Sequence, residues 1–162
     1  MRHDPETRAA RGPLDRLWRH RYGRFVEPLA DEPSLLVKSM FGCVACYAHG
    51  RLKLVLADRR PPWRGVLVPT LRQHHATLCA DVAGLATHPV LRKWLHVPES
   101  ADDFEAAVDR LVTLALLYDP RIGVEPPPRK SRRARARPDD AHRGKKSRGR
   151  GPLRRSRRLP AS

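Results

Sequence analysis

Leucine recurs at every second position in Leu52–Ala57, where Leu52, Leu54 and Leu56 alternate with Lys53, Val55 and Ala57. That period of two is the mark of a strand with one face turned to a core. Just upstream, Cys43–Ala48 is a run of Val, Cys, Ala and Tyr, and His49-Gly50 separates the two segments. Glycine tolerates the positive φ that a two-residue hairpin turn demands, so Lys38–Asp58 is predicted to be a β-hairpin.

The remaining pattern places further elements around it. Leu14, Leu17, Trp18, Arg21, Tyr22 and Phe25 fall at helical spacing and predict a helix over Leu14–Val26, with Pro13 in its first turn. Pro28 and Pro33 bound a connector that leads to a small helix or turn before Lys38. The segment ADRRPPWRG reads as a loop, and Gly65–Pro69 as a third, buried strand. Thr70 is placed to cap a helix over Leu71–Val82, with Leu71, His75, Leu78 and Val82 on one stripe. Trp94–Val97 reads as a fourth strand. The stripe Phe104, Val108, Leu111, Ala115 and Tyr118 predicts a terminal helix over Ala101–Tyr118, capped by Ser100. Strands in succession with flanking helices give an α+β domain, a small and mostly antiparallel sheet.

Charge divides the chain more sharply than hydropathy does. Residues 126–162 hold fifteen of the 33 Lys and Arg but only two of the 17 acids, so they carry +13 of the formal +16. They contain no aromatic residue and too little apolar surface to offset the entropy of ordering. The expected organisation is a flexible leader over 1–12, an α+β domain over 13–125 and a disordered Arg/Lys-rich tail over 126–162. No apolar run is long enough to span a membrane, and MRHDPETRAARG lacks the apolar core of a secretory signal. Three cysteines in such a chain are expected to be reduced thiols in a cytoplasm.

Met40-Phe41-Gly42, Tyr47, the turn glycine Gly50 and the run LVLAD resemble the N-terminal domain of the TfoX competence-regulator family. Trp94–Val97, followed by Pro98-Glu99 and a terminal helix, falls where that family has a comparable segment, so the resemblance covers roughly residues 35–117. It implies a small α+β domain without known cofactor or catalytic residues, linked in its namesakes to control of DNA uptake. The segment RRPPWRGVLVPTLRQHHATLC departs from the family pattern, and a basic segment stands where the family has a separate C-terminal helical domain. Competence regulation is therefore not carried over.

The chemistry-bearing residues form no recognised catalytic signature. Cys43 and Cys46 have the spacing of a redox or zinc pair, but residues three apart on a strand point to opposite faces with Cα atoms roughly 10 Å apart, beyond disulfide reach. His74, His75 and Cys79 are candidate metal ligands, with His75 and Cys79 on one helix face, but a structural site needs four ligands and His88 or His96 would have to arrive from elsewhere. Structural thiols and core-edge imidazoles explain these residues without a metal, so neither metal, cofactor nor catalytic residue is assigned. Trp63, between Arg60 and Arg64, reads either as a lid on the sheet or as a platform for a base.

The basic tail carries the functional expectation. Arg129, Lys130, Arg132, Arg133, Arg135, Arg137, Lys145, Lys146, Arg148, Arg150, Arg154, Arg155, Arg157 and Arg158 are expected to contact phosphates of a nucleic acid without sequence preference. With no lipid anchor visible, nucleic acid is favoured over membrane as partner, and the body would engage a protein partner. The expected function is that of a non-enzymatic, nucleic-acid-associated protein with a regulatory role. The alternative is a protein- or ligand-binding module whose tail only solubilises it. The third reading is an enzyme using His74, His75, His88 or His96. Nucleic-acid binding by the body alone would point to Arg59, Arg60, Trp63 and Arg64.

Overall fold

A computed structural model describes residue 12 and residues 14–128. The basic residues assigned to phosphate contacts, Arg129 to Arg158, lie outside the described residues, as does nearly all of the leader.

The described chain is an α+β domain built on a six-stranded antiparallel sheet. The strands are β1 (Leu36–Met40), β2 (Cys43–Ala48), β3 (Arg51–Asp58), β4 (Arg64–Val68), β5 (Ala86–Thr87) and β6 (Leu95–Pro98), in the spatial order β1-β2-β3-β4-β6-β5. Two successive turns, Phe41-Gly42 and His49-Gly50, join the first three strands. All four turn residues have positive φ, between 50° and 78°, as the tightest hairpin turns require.

The expected hairpin is present, with one correction to its faces. Cys46 pairs with Leu54 and Tyr47 with Leu52, so Lys53 is an extra residue in β3. This bulge turns Leu52 away from the side shared by Leu54 and Leu56. Lys53 itself is only 3% exposed. Its ammonium donates to the carbonyl of Ile122 at 3.1 Å, and burial lowers its pKa.

Each face of the sheet has its own apolar cluster. Val44, Cys46, Leu54, Leu56, Val66, Val68, Leu95 and Val97 pack under three helices and a 3₁₀ segment. Cys43, Ala45, Leu52, Val55, Ala57 and Leu67 face the other way, joined by Met40, Tyr47, Trp63, Trp94 and Val124. No helical residue among those described joins this second cluster. Cys43 and Cys46 thus sit in opposite clusters, and burial pushes the Cys46 thiol up to about 12.

The helices are shorter than their stripes suggest. The helix expected over Leu14–Val26 is α1 (Asp15–Arg19), followed after a turn by a 3₁₀ segment, Gly23–Asp31. The chain folds back against α1 so closely that a Cβ at Gly23 would lie 1.9 Å from the Leu17 carbonyl oxygen. The expected small helix or turn before Lys38 is present as the end of that 3₁₀ segment and a turn at Pro33-Ser34, and the chain then enters the edge strand β1, which was not expected and in which only Val37 is buried. Thr70 does not cap a helix: its hydroxyl donates to the Arg121 carbonyl at 2.6 Å. The chain runs through a 3₁₀ turn, Arg72–His74, into α2 (His75–Asp81), which leaves Leu71 half-exposed. The terminal helix is α3 (Phe104–Leu116), and Ser100 is not its cap, because a turn from Pro98 to Ala101 precedes it. Among the described residues no helix is long and apolar enough to cross a membrane.

Candidate functional site

The helix-free face of the sheet carries a cleft of about 1000 Å³. Its floor is Cys43 of β2, Val55 of β3 and Leu67 of β4. Two small loops wall it, and each closes on a tryptophan. In the first, Arg59 N–H donates to the Trp63 carbonyl at 3.0 Å and Trp63 N–H to the Arg60 carbonyl at 2.9 Å. In the second, His88 N–H donates to the Trp94 carbonyl at 3.1 Å and Trp94 N–H to the Leu91 carbonyl at 3.0 Å. The β1–β2 turn supplies a third side through Met40 and Phe41, tied to the first loop by the Arg59 guanidinium, which donates to the Phe41 carbonyl at 2.8 Å.

His88 joins the two loops. It is fully buried, and its Nδ1 accepts from the N–H groups of Val90 at 3.2 Å and Leu91 at 2.8 Å. That leaves the proton on Nε2, which donates to the Pro62 carbonyl at 3.1 Å. Its ring lies 4.3 Å from the Trp63 indole and 5.0 Å from His96. Burial lowers the pKa of both imidazoles, and that of His96 falls to about 4. Both nitrogens of His88 are engaged, so it is a joint rather than a general base.

The ring of His96 has room because the residue beside it is Gly65. A Cβ there would lie 2.1 Å from the Val97 carbonyl oxygen and 3.0 Å from His96 Nε2.

The rim is cationic. Among the described residues no carboxylate pairs with Arg59, Arg60 or Lys93, while the one acid in the lining, Asp58, lies 3.7 Å from Arg64. Arg64 also lies 3.6 Å from Glu99, so its charge is committed within the fold. Lys93 Nζ sits 5.2 Å from the centre of the Trp94 ring.

Of the residues singled out in the body, the structure brings Arg59, Arg60, Trp63 and Arg64 to one cleft. Trp63 is both a cover on the sheet and a cleft wall, so its two readings are compatible. Lys93, Trp94 and Phe41 were missed as site residues; the adjacency of Lys93 to Trp94 was the available signal. His88 and His96 meet behind the cleft, whereas His74 and His75 belong to the 3₁₀ turn and α2. Among the described residues no group of three or more His, Cys, Asp or Glu is arranged to hold a metal ion. No family model matches this chain, and neither a curated protein nor a solved structure does.

Proposed function

We propose that this chain is a non-enzymatic, nucleic-acid-associated protein with a TfoX N-terminal-like body, whose rim cations and basic C-terminal segment bind phosphates. The observation that carries this reading is the trio Arg59, Arg60 and Lys93, unpaired by any described carboxylate, around a cleft walled by two tryptophans. The fifteen cations of residues 126–162 add the same preference for polyanions.

Binding of a labelled oligonucleotide to the full chain, followed by anisotropy at several salt concentrations, tests it. If about 6–10 phosphates are neutralised, affinity falls roughly 10³–10⁵-fold between 50 and 200 mM salt. Removal of residues 126–162 lowers affinity and flattens the slope. Absence of binding in dilute buffer refutes the proposal. The apolar floor of the cleft favours a second reading, a module for a small anionic ligand with a solubilising basic segment, and one-to-one binding of such a ligand by a chain that binds no oligonucleotide would support it.

A further inference from the structure

We infer that the cleft on the helix-free sheet face takes an unpaired nucleobase, so that the body confers a preference for single strands on a protein whose basic segment grips any nucleic acid. The inference rests on the nucleic-acid reading above and goes beyond it by naming the form of the substrate.

Three observations point the same way. The surface met by a ligand is aromatic, because the floor residues Val55 and Leu67 are only 1% and 3% exposed while the partly exposed indoles of Trp63 and Trp94 close over them. Base-on-aromatic stacking is indifferent to sequence, since every base offers a π face. The cations stand at the rim, with Arg59 and Arg60 on one loop and Lys93 on the other. A flat apolar group inside and a phosphate at the edge is the charge pattern of a nucleotide within a strand. Third, Phe41 is 90% exposed at φ +50°, a backbone setting that costs a non-glycine residue about 1–2 kcal/mol. An exposed ring held there at the mouth of the cleft suits a second stacking contact.

The same geometry disfavours a duplex. The bases of a duplex are stacked and sit behind their backbones, so only rim phosphates would be met, and entry of a base would first require unstacking. A free nucleotide would use the cleft but not successive rim contacts.

The experiment uses the full chain and a labelled single strand of about ten nucleotides, its blunt duplex and a mononucleotide. Single-strand affinity is expected to exceed duplex affinity at least tenfold, with quenching of indole fluorescence. Trp94→Ala is expected to lower single-strand affinity roughly 5- to 100-fold and to leave duplex affinity unchanged. Because Trp94 also packs on the sheet, Phe41→Gly at an exposed stacking position provides an independent reading, and it too should weaken single strands while leaving duplex affinity unchanged. Equal affinity for the two forms, with no quenching and no selective effect of these variants, overturns the inference while leaving phosphate binding intact. A mononucleotide that binds as tightly as the strand overturns it as well. Absence of binding to every nucleic acid refutes the broader proposal instead.

Discussion

The imidazole of His88 lies 4.3 Å from the indole of Trp63 and, through Nε2, holds the carbonyl of Pro62 at 3.1 Å. One buried side chain thereby supports the wall of the cleft that is remote from it in sequence. Replacing His88 by Ala leaves a cavity and strands the N–H groups of Val90 and Leu91. Stability is expected to drop by about 2–4 kcal/mol, read as a shift in the urea midpoint at unchanged m-value.

The histidines also set a pH dependence. His96 titrates near 4 in the fold against 6.5 when unperturbed, and burial lowers His88 and His20 in the same direction. Between these values the unfolded chain binds more protons, so stability is fully present above pH 6.5 and is lost as pH falls toward 4. The His96 shift caps its effect at ~3 kcal/mol. Glu32, held near 2 by hydrogen bonds from Ser34 and Tyr118, loses its contribution only below its usual 4.5. Urea titrations at successive pH values should show the slope, and His96→Leu should flatten it in the interval from 6.5 to 4.

Two glycines, Gly65 within β4 and Gly50 in a hairpin turn, should respond differently to a methyl group. At Gly65 the φ is +135° and a Cβ would sit 2.1 Å from the Val97 carbonyl oxygen, so Gly65→Ala must separate β4 from β6. At Gly50 the φ is +73° with nothing within 4 Å, so only backbone strain opposes Gly50→Ala. The expected costs are above about 3 kcal/mol for the first and about 1 kcal/mol for the second, compared by thermal unfolding.

Phe41 separates the needs of folding from those of binding. Phe41→Gly relieves a strained backbone and buries nothing less, so stability should hold or rise by up to about 1 kcal/mol. Affinity for a single strand should fall in the same protein. A loss of stability at unchanged affinity would mark Phe41 as a structural residue.

The sheet was legible where a residue's neighbours in sequence decide its surroundings. Leu54 and Leu56, the turn glycine Gly50 and the stripe on α3 all depend on local periodicity, and their elements lie where the pattern puts them. The strand β1 was hidden because only Val37 of its five residues is buried, so no alternation shows. The bulge at Lys53 was hidden because burying a lysine depends on a carbonyl, that of Ile122, supplied by a distant segment. Thr70 failed as a cap for a similar reason: Arg121 offers its hydroxyl a better acceptor. The cleft draws on segments far apart in the chain. Trp63 with its arginines stood out in the sequence, but Lys93 and Trp94 gain meaning only once β6 brings their loop beside the first.

The separation of the two apolar clusters has a consequence for how such a molecule can change. Residues that would touch a ligand pack with Val55 and Leu67 on one side, while the helices are anchored to Leu54, Leu56, Val66 and Val97 on the other. Substitutions at positions 41, 59, 60 and 93 can alter what the exposed side recognises without passing through the helical interior. Recognition is therefore free to diverge over generations while the scaffold beneath it stays constant.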